Sequence, residues 1–186
     1  YHGVVYCALG WACWKTYLGR PETDFSRQSA ITQLSNGLYE ANLDEDALAV
    51  SEADLAMMRR LGASEESILV AQTNLANTYR ALGRDEEALP LRQEVYSGWL
   101  RLDGEEDEDT LLAASNYAIS LGVLQRFGEV KSLTRKTIPV ARRVLGESHN
   151  LTLRMRWSYA RALYHDDDAT LDDVREAVAT LEDTER

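Results

Sequence analysis

Apolar positions along residues 74–89 (NLANTYRALGRDEEAL) follow a helical stripe: Leu75, Tyr79 and Leu82 share one face, and the small Ala76 lets another helix press close. Gly83 breaks the stripe, Asp85 is placed to cap a new helix, and Ala88 and Leu89 open its apolar face. The same order of apolar, small and turn positions occurs 41 residues earlier, at 33–48 (QLSNGLYEANLDEDAL), and 42 residues later, at 116–131 (NYAISLGVLQRFGEVK). A fourth copy opens at Ser158 (SYARALYHDDD), another 42 residues on. Repetition at such a period predicts stacked helical hairpins that bury their apolar faces on one another in a continuous ribbon. The expected fold is therefore all-α.

The remaining elements follow from their punctuation. Val4, Val5, Leu9, Trp11, Trp14, Tyr17 and Leu18 make 3–18 one strongly apolar helix, closed by Gly19 and Pro21. It reads as a degenerate repeat that packs on the next hairpin or on an upstream one. A clear hairpin follows. Its first helix spans about 24–41, and Asn42 stands where Gly83 stands later, Asn being the next-best residue for a left-handed helix end. Its second helix spans 44–61, with Ala47, Leu48, Val50, Leu55 and Met58 as the stripe and Gly62 as the stop. Ser64 or Glu65 starts the next hairpin, which reaches Leu102 and has Pro90 early in its second helix, a tolerated place. Pro139 lies deeper in the following hairpin and is expected to bend that helix or shift its boundaries. This divides the chain into 1–22, 23–62, 63–104, 105–146 and 147–186. A first residue Tyr1 in place of Met, and a helical pattern running to Arg186, lead us to expect a piece of a longer array.

Composition sharpens this picture. Of the 186 residues 45% are hydrophobic, and only 3 are Pro and 2 Phe, a balance that favours helix over sheet. The net charge of −11 argues against general nucleic-acid binding, which needs a basic footprint. Cys7 and Cys13, six apart, form neither CxxC nor a metal pattern and read as two small buried hydrophobes. No run of about 18 apolar residues suggests a membrane span. The acidic stretches between hairpins read as solvated turns and helix N-termini. Asp166, Asp167 and Asp168 lack the spacing and the Gly of a calcium loop, and Asn150-Leu151-Thr152 matches a glycosylation sequon that arises often by chance.

The segment 74–95 resembles a tetratricopeptide repeat, with Leu75, Ala76 and Tyr79 in the first helix and Ala88 and Val95 in the second. The 42-residue period and the connector 145–153 (LGESHNLTL) are similar to the kinesin-light-chain type, although Asn150 stands where that type has Pro. The connectors at Leu61 and Leu102 lack the His-Pro pair, Gln125 replaces the turn Gly, and Val130 replaces the small Ala. The likeness covers about 30–186. It implies a right-handed superhelical solenoid of antiparallel helix pairs, with a concave face lined by the first helix of each pair, that binds peptides or partner domains without chemistry of its own.

On that template Gln33, Asn74, Asn116 and Ser158 share a position facing the concave groove, where amides suit the donors and acceptors of an extended peptide. Their alternative use is to bond a neighbouring helix end and stiffen the stack. Asn36, Asn77 and Arg80 continue the face. Arg154, Trp157 and Arg161 form the most binding-like cluster, an aromatic flanked by guanidiniums that can seat an apolar side chain and pair with an acidic one. Trp157 reads equally well as a core residue covered by a following repeat. Tyr39, Tyr96 and Tyr164 ask for no more than packing. His2, His149 and His165 have no nucleophile at motif spacing, and no GxSxG, HExxH or phosphate loop occurs, so the expectation is no catalysis, no cofactor and no metal. The leading reading is a cytoplasmic adaptor that binds a protein or peptide segment, acidic or aromatic-acidic in character. The alternatives are a spacer that self-associates through array ends, or a regulatory array attached to an enzyme domain elsewhere.

Overall fold

The structure, a computed structural model, describes residues 2–166 and 169–182. Among them lie nine α-helices and no strand: α1 (His2–Tyr17), α2 (Phe25–Glu40), α3 (Asp44–Leu61), α4 (Glu65–Ala81), α5 (Asp85–Leu102), α6 (Glu108–Val123), α7 (Phe127–Val144), α8 (Asn150–His165) and α9 (Leu171–Glu182). Tyr1, Asp167, Asp168 and residues 183–186 lie outside the description, and with them the end of the expected last helix and two members of the Asp166 run.

Two kinds of helix start occur along the chain, and α9 is capped like the even-numbered helices, Thr170 Oγ1 accepting from Asp173 N at 3.2 Å. Side chains cap the even-numbered helices. Asp24 Oδ1 accepts from Ser26 N at 2.9 Å for α2, Ser64 Oγ from Ser67 N at 3.2 Å for α4, and Asp107 Oδ1 from Asp109 N at 2.8 Å for α6. At α8 the cap is His149, whose Nδ1 accepts from Leu151 N at 3.3 Å. The sequon Thr152 is thereby folded into the first turn of α8 and fully buried. By contrast, α3 and α7 have no side-chain cap and follow tight backbone turns. Asn42, Gly83 and Gln125, one per repeat, all take positive φ (56°, 70° and 58°). The next residue in each case donates its N–H five residues back, from Leu43 to Leu38 O, Arg84 to Tyr79 O and Arg126 to Leu121 O. This is the Schellman closure of a helix end.

Pro139 does not shift the boundaries of its helix. Helix α7 runs through it unbroken, and its bounds keep the 42-residue offset from α5. Leu133, Thr134 and Ala141, buried on one side of α7, hold the helix in place across the lost backbone donor.

The fold divides into two compact units, Tyr1–Leu91 and Arg92–Arg186. In the first, α1 packs on α2, α2 on α3 and α3 on α4. Leu34, Leu38 and Ala47 form one apolar cluster with Cys7 and Trp14 against it; Leu48, Leu55, Ala71 and Leu75 form the next. Glycines let α1 and α2 approach backbone to backbone: a Cβ on Gly37 would stand 2.6 Å from the Tyr6 carbonyl oxygen, and one on Gly10 2.8 Å from Leu34 Cα. Cys7 and Cys13 are free and half-buried rather than buried, because the glycine contact takes the centre of the seam. In the second unit α6, α7 and α8 pack mutually and α9 packs on α8. Leu111, Ala114, Ala141, Leu151 and Met155 are its core, and Tyr159, Ala160, Leu163 and Ala177 extend it toward α9. No described helix is long and apolar enough to cross a membrane.

Candidate functional site

The residues singled out in the sequence fall on both units. Gln33, Asn36, Asn74, Asn77 and Arg80 belong to the first; Asn116, Arg154, Trp157 and Arg161 belong to the second.

In the first unit Gln33 and Asn36 are exposed on α2, and Asn74 and Asn77 are half-buried on α4 with Arg80 exposed beyond them. Gln33 and Asn36 line a groove of about 600 Å³ with Tyr6, Leu9, Cys13 and Glu40, so α1 supplies one wall. Gln33 also borders a hollow of about 330 Å³ whose apolar lining includes Phe25, Met58 and Val70. Sequence reasoning missed both α1 and Phe25 as lining. Phe25, first residue after an Asp cap and pointing outward, was the readable signal.

In the second unit the Asn116 amide is already engaged: Arg154 Nη2 donates to its Oδ1 at 3.1 Å. This bond joins a side chain of α6 to one of α8. Ser158, which shares the repeat position of Asn116, is buried and donates from Oγ to Arg154 O at 3.0 Å. Arg154 is thus engaged with Asn116, and Arg161 is the guanidinium placed over Trp157. Arg161 lies 5.6 Å from the centre of the Trp157 ring, a cation–π arrangement. Trp157 is 55% exposed.

Trp157 and Arg161 stand together at the edge of an apolar hollow of about 380 Å³ between α8 and α9, lined also by Tyr164, Val174 and Val178. Tyr164 was expected only to pack. It is 66% exposed, and its ring meets His165 edge-on with centroids 5.0 Å apart. Trp157 and Tyr164 are seven residues apart, two turns on one helix face, and that spacing was the signal available in the sequence. The arrangement offers an aromatic wall, an aliphatic floor and one guanidinium. It can hold an apolar side chain and pair with a neighbouring acid.

No metal-ligating cluster of His, Cys, Asp and Glu occurs among the described residues. Asp166 instead pairs with Lys131 on α7.

Paired helices, a left-handed residue at the turns after α2, α4 and α6, and a 42-residue period define a tetratricopeptide-like, all-α helical-repeat solenoid. Among solved structures the chain is similar to the "putative kinesin light chain nearly identical TPR-like repeats" of Podosopora anserina, at 21% identity and a TM-score of 0.80, over 96% of this chain and 83% of that one. A singly substituted form of that protein matches with a TM-score of 0.81 at the same identity and coverage. BtubC (BKLC) from P. vanneervenii matches at 15% identity with a TM-score of 0.76, over 97% of this chain and 71% of that chain. At these identities the likeness is one of fold. No protein-family model and no curated protein matches the sequence.

Proposed function

We propose that the chain is a non-catalytic interaction module that holds a linear peptide or partner segment on the faces carrying Gln33, Asn36, Asn74, Asn77 and Arg80 in one unit and Trp157 and Arg161 in the other. The observation that carries this reading is Trp157, exposed beside a guanidinium at the mouth of the α8–α9 hollow. An exposed aromatic of this size, with a charged neighbour and an apolar floor, is the composition of a binding hot spot. The ligand is a segment with an apolar or aromatic residue beside acidic ones, and the compartment is the cytoplasm. With a net charge of −11 the chain is unsuited to nucleic acid.

The test is a titration with acidic, Trp-free peptides at low and moderate salt, read by tryptophan fluorescence and, for the variant that lacks the reporter ring, by calorimetry. We expect saturable binding that weakens with salt and falls about tenfold or more in Trp157→Ala and Arg161→Gln. Binding that is unchanged in both variants sinks this reading.

A second reading has its own observation. Val4, Val5, Tyr6, Leu9 and Trp11 leave α1 with much exposed apolar surface, the kind of surface that associates. On that reading the chain is a self-associating structural segment.

A further inference from the structure

Helix α8 carries a second concentration of binding chemistry on a different face from Trp157. There α7, α8 and α9 surround a cleft of about 310 Å³. Ile138, Pro139 and Tyr159 give it an apolar wall, and Arg135, Arg142 and Arg156 line it, met by the carboxylates of Glu176 and Glu147. In a chain of net charge −11, this is a local reversal of sign. Arg156 is only 4% exposed and is firmly held: Nη2 donates to Thr180 O at 2.6 Å and Nη1 to Glu147 Oε2 at 3.5 Å. Arg135 donates from Nε to the Tyr159 hydroxyl at 2.8 Å, and that hydroxyl donates to Glu176 Oε1 at 2.6 Å. Burial and the Glu176 bond push the Tyr159 phenol above its ordinary range, so it stays a neutral donor.

The neighbouring repeat supplies an internal control. Helices α5 and α6 precede α7 and α8 by 42 residues, so Tyr96 corresponds to Ile138, Tyr117 to Tyr159, Gln93 to Arg135, Leu100 to Arg142 and Ala114 to Arg156. Tyr96 stacks on Tyr117, ring centres 6.3 Å apart and planes at 28°. At the later position the ring is replaced by Ile138, and three positions that are neutral in the earlier repeat are arginine. Where the earlier repeat has an aromatic stack, the later one has a cleft with a cationic rim.

Glu147 shows what the rim accepts. Its carboxylate bridges Arg142 through Oε1 and Arg156 through Oε2, so one carboxylate spans both guanidiniums. Glu147 is half exposed on the connector before α8, free to yield that place to a competing acid.

We propose that this cleft binds an aromatic carboxylate: the ring sits over Ile138 and Pro139, where Tyr96 sits in the preceding repeat, and the carboxylate takes the place of Glu147 between Arg142 and Arg156. Such a group can come from a free small acid or from the C-terminal aromatic residue of a peptide. The inference stands apart from the Trp157 reading, since the two sites use different faces of α8 and no Trp lines the cleft.

Calorimetric titration with 4-hydroxyphenylacetate and, separately, with N-acetyl-Ala-Ala-Phe distinguishes the two sources; 4-hydroxyphenylacetamide is the neutral control. We expect one of the acids to bind saturably and the amide at least about tenfold more weakly, as loss of a charge-assisted pair requires. Ile138→Tyr restores the ring of the earlier repeat and should abolish binding, Arg142→Gln on the exposed rim should weaken it about tenfold, and Glu147→Gln should tighten it by removing the internal competitor. The last two substitutions are at exposed side chains and leave the helical fold intact, which circular dichroism checks. Failure of both acids to bind at up to roughly 10 mM, or binding that ignores all three substitutions, overturns the proposal.

Discussion

Asp54 is a carboxylate held 3% exposed on α3, with the Thr32 hydroxyl donating to its Oδ2 at 2.8 Å. Next to it, Ser35 and Ser51 meet at 2.5 Å, so a polar seam joins α2 to α3 inside an otherwise apolar contact. Burial disfavours the charged form more strongly than the one hydroxyl favours it, and the Asp54 pKa rises from 3.8 to about 6. Between those values the unfolded chain has released this proton and the folded chain retains it. Stability therefore falls as pH rises through that window, and the penalty is complete above about pH 6. A shift of this size corresponds to roughly 2–3 kcal/mol. Asp54→Asn keeps an acceptor for Thr32 and removes the charge. We expect it to be more stable than the parent by about 1–3 kcal/mol at pH 7, with the advantage fading below about pH 4. Urea unfolding on either side of the window, at about pH 4 and about pH 7, measures this; equal stability at neutral pH would refute it.

At the scale of the element, the inner turn of each hairpin decides how cheaply two helices reverse. Gly83 adopts φ 70° without strain, while Asn42 at 56° and Gln125 at 58° hold side chains in the same left-handed region. That region costs a non-Gly residue about 1–2 kcal/mol, less for Asn. Glycine in turn loses more backbone entropy on folding, about 0.5–1 kcal/mol. Gln125→Gly should therefore stabilise the α6–α7 hairpin by about 0.5–1 kcal/mol, and Asn42→Gly should do less at α2–α3. Thermal unfolding of the two variants is the measurement. A lower midpoint for Gln125→Gly would mean that the Gln side chain contributes a contact worth more than the strain.

At the scale of the molecule, 31 acidic against 20 basic side chains set copies of the chain apart, while the apolar surface of α1 draws them together. The self-associating reading therefore predicts a salt dependence opposite to that of the peptide-binding one. Raising salt from about 20 to about 300 mM shortens the Debye length to under about 10 Å, which should strengthen association through α1 and weaken an Arg161-dependent acidic ligand. Sedimentation across protein concentration at both salts, with Leu9→Glu as the control, decides the matter. A clean monomer at high concentration and high salt would rule out self-association.

The helical period and the left-handed turns could be read in the chain because each depends on residues within about five positions, whereas Asp85, read as a cap, is the first residue inside α5. Asp44–Leu61 came out as one helix with the bounds the pattern set, and Asn42 and Gln125 took the conformation of the Gly they replace. Partnership across helices could not be read. Asn116 is taken by Arg154, 38 residues away, and Asp54 is buried against Thr32, 22 residues away. The glycine seam of α1 on α2, the outward-facing Tyr164 and the cleft left where Ile138 stands for Tyr96 are likewise matters of distance between elements. The 42-residue period says that two helices will pair. Which side chains then meet, and which are left facing water, depends on interhelical distances of a few ångströms that side-chain volume sets only once the helices are packed.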